Sequence, residues 1–196
     1  MDKKCRIAIF ASGEGSNAEA IVRYFSNHST MEVMMVISNN EKAGVHRRMQ
    51  KWNIPCFTIE KSEWQPDSTG YVALELMRSK GIDMIVLAGF LAYIPANIVT
   101  EFKGRIVNIH PSLLPKYGGK GMWGHHVHEA VIAARETMSG ITIHHVTEKL
   151  DDGSIIFQAE CEVLPADTPD SLTARIHRLE YEHYPRIVEQ LGMKLQ

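Results

Sequence analysis

Cysteine is scarce in this chain, and its three copies, Cys5, Cys56 and Cys161, lie far apart in the sequence. No two of them have the spacing of a metal-binding or redox pair. An odd number of widely spaced cysteines, two of them within apolar strand-like runs, is typical of reduced, buried thiols in a cytosolic protein. We therefore expect a cytoplasmic protein with free thiols.

Long apolar runs and blocks of like charge are missing as well. The longest apolar run, residues 84–94, is too short to span a bilayer and ends at Pro95. The N-terminus lacks the apolar segment of a usual signal peptide. The formal charge is -2, and acidic and basic residues are interspersed. We therefore expect no membrane and no nucleic acid as partners, and any bound phosphate must be held by local groups.

The order of predicted elements indicates an α/β protein. Apolar runs without polar alternation are typical of parallel strands buried on both faces. Such runs alternate with segments of helical spacing, which predicts a Rossmann-like, doubly wound, mostly parallel sheet. The last two strands, residues 140–146 and 154–163, suit an antiparallel hairpin, and a final helix capped by Ser171 follows. Because no repeat or linker interrupts the 196 residues, we expect 1–196 to form a single domain.

A glycine-rich turn joins the first predicted strand to the first predicted helix, and it reads SGEGSN over residues 12–17. Such a turn directs backbone amides and a helix N-terminus at an anion. We predict that Gly15, Ser16 and Asn17 bind a phosphate group. The alternative is a plain tight turn with Asn17 as the helix cap.

The same turn also fits the loose dinucleotide pattern GxGxxA over residues 13–18. In a dinucleotide-binding unit the next strand ends at an acidic residue that holds a ribose hydroxyl. Here the next predicted strand, residues 33–37, is followed by a serine and two asparagines. The sequence therefore favours a monophosphate site over a dinucleotide site.

The chemical centre is predicted in the segment NIHPSLLP, residues 108–115, which follows a short apolar run. Asn108 and His110 point to the same face of a strand, and Pro111 stops that strand at a sheet edge where open α/β sheets bind ligands. An amide and an imidazole are suited to stabilise a carbonyl oxygen that becomes negative. The alternative is that Asn108 caps a turn and His110 is an ordinary surface histidine.

Histidines are also concentrated further along the chain. A glycine-rich loop follows Pro115, and His125, His126 and His128 then begin a predicted helix that runs to about Arg135. The cluster invites comparison with a zinc site; the alternative is a solvated helix start. No cysteine or HExxH arrangement completes such a site, so we expect no metal. On the strand 140–146, His144 and His145 must face opposite ways, and only one of them can face a site at the sheet edge.

Four motifs give the chain a likeness to a known family. They are SGEGSN, AGF at 88–90, NIHPSLLP, and HHVTEKLDDG at 144–153. With them the chain resembles the phosphoribosylglycinamide formyltransferases, the folate-dependent glycinamide ribonucleotide transformylases, over nearly its whole length. NIHPSLLP with the later LDxG turn is typical of 10-formyltetrahydrofolate transferases in general, and SGxGSN of the ribonucleotide enzyme. The related methionyl-tRNA formyltransferases and formyltetrahydrofolate hydrolases carry an extra domain that 196 residues would not hold.

The resemblance implies the formyltransferase fold and a set of site residues. The implied residues are Asn108, His110 and Asp151 for catalysis, Gly15, Ser16 and Asn17 for the substrate phosphate, Glu180 near the substrate amine, Leu91, Ala92, Tyr93, Ile94 and Asn108 for folate, and His144 in a secondary role. On residue type alone, Glu180 would be a solvated helix carboxylate. Many members carry an arginine where this chain has Ala92, which leaves the preference for the folate tail open. Asp152 stands where glycine is common.

The resemblance also implies a reaction. The reaction is transfer of the formyl group of 10-formyltetrahydrofolate to the amine of glycinamide ribonucleotide in de novo purine (IMP) biosynthesis. The expected partners are these two small molecules. We expect the protein to be a monomer or homodimer. Asn108 and a protonated His110 would stabilise the oxyanion, and Asp151 would raise the pKa of His110. Two rivals are a non-catalytic phosphosugar- or folate-binding module and a hydrolase of formyltetrahydrofolate.

Overall fold

The computed structural model describes residues 4–195 as one seven-stranded sheet with helices against both of its faces. The strands are β1 (Cys5–Phe10), β2 (Met31–Ser38), β3 (Cys56–Thr58), β4 (Met84–Leu87), β5 (Ile106–His110), β6 (Met138–His145) and β7 (Ile155–Glu162). The helices are α1 (Ser16–Phe25), α2 (Gly44–Gln50), α3 (Tyr71–Ser79), α4 (Ala96–Glu101), α5 (His125–Ala133) and α6 (Pro169–Gly192), with short 3-10 helices at Lys61–Trp64 and Met193–Leu195.

The strand order is β3-β2-β1-β4-β5-β6-β7. Strands β1 to β5 pair in parallel, whereas β6 pairs antiparallel with both β5 and β7. The prediction of a doubly wound, mostly parallel sheet with a C-terminal antiparallel hairpin and a final helix is confirmed. The chain leaves β1 toward β3 and later returns to β4 on the other side, and this reversal opens a crevice at the carboxyl ends of the strands.

The apolar strands are explained by burial on two sides. Along β1, Ile7 and Ile9 belong to the core under α1, α2, α5 and α6, while Ala8 and Phe10 belong to the core under α3 and α4. A strand packed on both faces needs apolar residues at every position, because successive side chains point to opposite faces. The run therefore reads as continuous rather than alternating.

Helix α6 differs from the prediction at its start. Thr168, not Ser171, is the N-cap: its hydroxyl accepts a hydrogen bond from the Ser171 N–H at 3.2 Å, and the Ser171 hydroxyl accepts one from the Thr168 N–H at 3.0 Å. This reciprocal arrangement satisfies two backbone donors at once. The helix then continues through Pro185 to Gly192. Within residues 4–195, no helix is long and apolar enough to cross a membrane.

Candidate active site

A cavity of about 340 Å³ opens at the carboxyl ends of β4 and β5. Three segments form its walls: residues 89–94 after β4, residues 119–124 of the glycine-rich loop, and residues 146–151 after β6. Asn108, His110 and His144 also line the cavity. The predicted catalytic residues, the predicted folate-binding residues Leu91, Ala92, Tyr93 and Ile94, and the secondary histidine are thus brought together in one cavity.

Asn108 and His144 face each other across the antiparallel pairing of β5 and β6. The Asn108 Nδ2 lies 3.1 Å from the His144 Nε2, and the His144 Nδ1 lies 2.9 Å from the His145 carbonyl oxygen. Because a carbonyl can only accept, Nδ1 carries the proton, and in the neutral ring Nε2 accepts from the amide. His144 is 2 % exposed and orients the Asn108 side chain.

His110 and Asp151 are juxtaposed by two turns that are distant in sequence. Pro111 ends β5, as predicted, and leaves the His110 ring buried at the strand end. The His110 Nδ1 lies 3.6 Å from the Asp151 Oδ2, and its Nε2 donates to the Tyr117 carbonyl at 2.7 Å. Asp151 occupies a left-handed turn position with φ 52, and its Oδ2 accepts from the Gly119 N–H at 2.8 Å.

The pKa values of His110 and Asp151 are both shifted by the environment of the cavity. Burial lowers the pKa of His110, and this effect outweighs the nearby Asp151 carboxylate, which acts in the opposite direction. In the ligand-free protein this lowered pKa favours the neutral imidazole, so the protonated His110 of the expected mechanism stays a prediction for the reacting complex. For Asp151, burial raises the pKa, but the contact from His144, the Gly119 N–H and the charge of His110 together prevail and lower it. The carboxylate form of Asp151 is favoured.

The turn after β1 has the strand, loop and helix order that the sequence predicts. Gly15 is the N-cap of α1, with φ 73, and a Cβ there would lie 2.5 Å from a Val45 methyl, so glycine is required. The alternative in which Asn17 caps the helix is wrong, because Gly15 occupies the N-cap position. Asn17 lies inside α1, and the first N–H groups of a helix have no partner within it.

Glu180 links α6 to this turn. Its side chain is 5 % exposed, and its Oε2 accepts from the Asn17 Nδ2 at 2.8 Å, with the His177 Nε2 3.9 Å away. Burial raises the pKa of Glu180 to about 7, although the Asn17 hydrogen bond acts in the opposite direction. The interpretation as a solvated helix carboxylate is therefore wrong. The Asn17 Oδ1 is buried, and no partner for it lies in residues 4–195.

The turn after β1 adjoins the cavity. The Ser12 N–H donates to the Gly89 carbonyl at 3.0 Å, and the Ser12 hydroxyl accepts from the Leu91 N–H at 2.8 Å. The predicted phosphate-binding residues and Glu180 thus form a second polar group, which is tied to the cavity wall at Gly89 and Leu91. A ligand extending between the two groups would contact both.

Several supporting residues were missed by sequence reasoning. The Thr142 hydroxyl donates to the Ser112 carbonyl at 2.6 Å and accepts from the Leu114 N–H at 3.0 Å, which holds the chain after Pro111. The Tyr184 hydroxyl, wholly buried, reaches the Leu87 carbonyl at 2.8 Å and the Val107 carbonyl at 3.2 Å. The partners named here are backbone N–H and carbonyl groups, so residue type alone carried no signal for either role.

His125, His126 and His128 lie in the first turn of α5 and point to different surroundings. The side chains of His125 and His126 are exposed and lie near Glu129, whereas His128 is buried. Burial lowers the pKa of His128 to about 4, with smaller contributions from neighbouring histidines. Within residues 4–195, no three His, Cys, Asp or Glu side chains are grouped closely enough to hold a metal ion.

A family model described as formyl transferase matches residues 5–188, so the fold is that of a formyl transferase. Phosphoribosylglycinamide formyltransferase of Bacillus subtilis is 35% identical over 188 residues, covering 95% of this chain and 94% of that protein. The crystal structure of phosphoribosylglycinamide formyltransferase from Bacillus halodurans superposes with a TM-score of 0.88 at 34% identity, covering 97% of each chain. The chain belongs to the phosphoribosylglycinamide formyltransferase family.

Some relatives are considerably longer. The chloroplastic phosphoribosylglycinamide formyltransferase of Arabidopsis thaliana is 37% identical over 190 residues. That alignment covers 95% of this chain but 65% of the plant protein. The chain therefore spans just under two thirds of the length of this relative.

Proposed function

We propose that this protein transfers the formyl group of 10-formyltetrahydrofolate to the amine of glycinamide ribonucleotide, giving formylglycinamide ribonucleotide and tetrahydrofolate in de novo purine biosynthesis. The observation that carries the proposal is the cluster of Asn108, His110 and Asp151 in one cavity. Membership of the phosphoribosylglycinamide formyltransferase family supports the identity of both substrates.

The ribonucleotide occupies the second polar group. Its phosphate accepts hydrogen bonds from the backbone at Gly15, Ser16 and Asn17, where the α1 N-terminus favours negative charge. Its amine lies at Glu180 and at the unpartnered Asn17 Oδ1, two acceptors that suit N–H groups. The folate donor occupies the apolar cavity along residues 91–94. Holding both reactants side by side supplies the effective concentration that the reaction needs.

Asn108 stabilises the charge that develops during transfer. The amine nitrogen attacks the formyl carbon, a C–N bond forms, and the carbonyl electron pair moves onto oxygen. The Asn108 amide has two N–H groups, and since His144 engages one of them, the other is free to donate to that oxygen. Loss of one such donor typically slows turnover about 100 to 1,000-fold.

His110 and Asp151 move the proton. When the intermediate collapses, the bond from the formyl carbon to the folate nitrogen breaks, the attacking amine loses a proton and the leaving nitrogen gains one. Asp151, whose carboxylate form is favoured, accepts the proton, directly or through a water molecule. Transfer of this proton to the His110 Nδ1, 3.6 Å from the Asp151 Oδ2, restores the carboxylate charge, which favours the protonated imidazole. His110 then donates the proton to the leaving nitrogen.

The proposal extends to the organisation of the protein. Residues 1–196 form a single formyltransferase domain, and the protein acts in the cytoplasm as a monomer or homodimer without a metal. Its partners are the two small-molecule substrates. The relevant measurements are sedimentation of the purified protein and activity in the presence of a chelator.

One assay tests the function. Purified protein is mixed with 10-formyltetrahydrofolate and glycinamide ribonucleotide, and tetrahydrofolate formation is followed by absorbance. We expect turnover that requires both substrates and that Asp151→Asn greatly reduces. Folate release without the ribonucleotide would indicate a hydrolase, and ligand binding without product would indicate a binding module.

A further inference from the structure

Three large apolar side chains around the candidate cavity are unusually exposed. Leu91 is 54 % exposed, Trp123 is 47 % exposed and Leu150 is 59 % exposed, and each belongs to a different segment of the cavity lining. Large apolar side chains that are exposed together around a concave surface indicate a ligand or partner site. Leu91 is already among the residues that the family resemblance implies, whereas Trp123 has no assigned role.

Trp123 is presented by a stretch of backbone that lines the cavity continuously from Gly119 to Gly124. The stretch begins where the Gly119 N–H donates to Asp151, so it is tied to the reactive end of the cavity. Gly119, Gly121 and Gly124 have φ values of 86, 87 and 51, which side chains rarely adopt. The indole packs edge-on against the His126 ring, with centroids 4.7 Å apart.

Lys120 lies in the same stretch and is exposed at the cavity. The neighbouring lysines are paired: Lys116 lies 2.9 Å from Glu136, and Lys149 lies 3.7 Å from Asp152. In the described part of the chain, no carboxylate lies within ion-pairing distance of Lys120. An exposed ammonium beside an exposed indole suits a ligand that is aromatic in one part and anionic in the next.

We propose that Trp123 and Lys120 form a donor-recognition site, in which the indole stacks on the aminobenzoyl ring of the folate and the ammonium pairs with its glutamate carboxylate. This inference rests on the proposed function. The reactive nitrogen of the donor carries the aminobenzoyl ring directly, and that ring leads to the glutamate. With the reactive nitrogen at Asn108 and His110, the ring and the tail extend toward the exposed mouth, where Trp123 and Lys120 lie.

The two contacts are separated by using two donors, 10-formyltetrahydrofolate and 10-formyltetrahydropteroate, which lacks the glutamate. We expect Trp123→Ala to raise the KM of both donors about tenfold, and Trp123→Phe to keep it within about threefold of the parent. The KM of the ribonucleotide stays unchanged. Tyr71→Ala removes a more exposed aromatic side chain away from the cavity and serves as the control.

Lys120→Ala should raise the KM of the glutamate-bearing donor about fivefold and leave that of the pteroate donor within about twofold. Lys103→Ala, an exposed lysine after α4, is the control. The proposal is overturned if Trp123→Ala leaves the KM of the donor unchanged. It is also overturned if Trp123→Ala raises the KM of the donor and the KM of the ribonucleotide equally. If the parent shows no turnover, the proposed reaction fails. Calorimetric binding of tetrahydrofolate to the same variants then decides this inference. An unchanged affinity overturns it, and a tenfold loss of affinity supports it.

Discussion

The His110 Nδ1 faces the Asp151 Oδ2 at 3.6 Å, although His110 ends β5 and Asp151 lies in the turn between β6 and β7. The two residues meet because the sheet order places the parallel strand β5 beside β6 of the antiparallel hairpin. The loop that follows Pro115 completes the arrangement, because its backbone engages both side chains, through the Tyr117 carbonyl and the Gly119 N–H. A change in this loop will therefore affect the reactive groups directly.

Replacing Asn108 by alanine should lower kcat about 100 to 1,000-fold while the KM values change little. The amide donates to an oxygen that becomes negative only during the reaction, so its loss affects the transition state more than substrate binding. Steady-state kinetics with both substrates provide the measurement, and Asn97→Ala, an exposed asparagine on α4, is the control. Turnover within about threefold of the parent would show that Asn108 does not hold the oxyanion.

His144 should act through Asn108. We expect His144→Ala to lower kcat about tenfold, because the amide loses the partner 3.1 Å away that orients it. In the double variant with Asn108→Ala, the orienting contact has nothing left to position, so the loss should exceed that of Asn108→Ala only if the other contact of the His144 Nε2, 3.6 Å from the Asp151 Oδ1, also matters. Additive losses in this double-mutant cycle would give His144 an independent role.

Local sequence pattern was sufficient for most of the fold. Pro111 ends β5 because it has no N–H for the ladder, and Gly15 permits the left-handed turn before α1. These are effects of single residues on their own backbone. The start of α6 was misplaced because Thr168 and Ser171 are both good capping residues, and only the reciprocal hydrogen bonds distinguish them.

The electrostatics of the site were less predictable. Glu180 is solvated in any isolated helix, and its burial arises only because α6 packs against α1 and meets Asn17. The pKa of His110 depends on two opposing effects, the carboxylate of Asp151 and burial by surrounding segments. The sequence indicated the carboxylate, but the extent of burial depends on the packed fold.

Glu180→Gln should make the fold less sensitive to pH. Burial raises the pKa of this carboxyl from 4.5 to about 7. Between these values the unfolded chain has released the proton and the folded chain retains it, so folding stability falls as the pH rises through this window. Between pH 5 and pH 8, we expect the free energy of unfolding to fall by about 2 kcal/mol less in the variant than in the parent.

Urea unfolding of the parent and of Glu180→Gln at both pH values measures the difference. Glu182→Gln, an exposed carboxyl on the same helix, is the control. If the parent and Glu180→Gln lose stability equally between pH 5 and pH 8, the carboxyl is not protonated in the folded protein at pH 5 to 7.

Arg48 should control binding of the ribonucleotide phosphate without touching it. Its Nε donates to the Glu14 carbonyl at 2.6 Å, and its Nη1 lies 2.5 Å from the Glu19 carboxylate on α1, so one guanidinium braces the turn at residues 12–17 against α2. Two donors in a fixed planar geometry hold two acceptors in a way that lysine cannot reproduce. Without them, the backbone amides at Ser16 and Asn17 lose their fixed direction toward the phosphate.

We therefore expect Arg48→Ala to raise the KM of the ribonucleotide about tenfold, with kcat within about threefold and the donor KM unchanged. Arg48→Lys should recover only part of the loss, because it can keep one of the two contacts. The neighbouring Arg47→Ala, on the exposed side of α2, removes the same charge without removing these contacts and should behave like the parent. A variant Arg48→Ala that unfolds at lower urea but binds the ribonucleotide normally would restrict Arg48 to stability. A rise in KM that Arg47→Ala reproduces would instead indicate long-range attraction of the phosphate by positive charge, and raising the salt concentration should then reduce the difference.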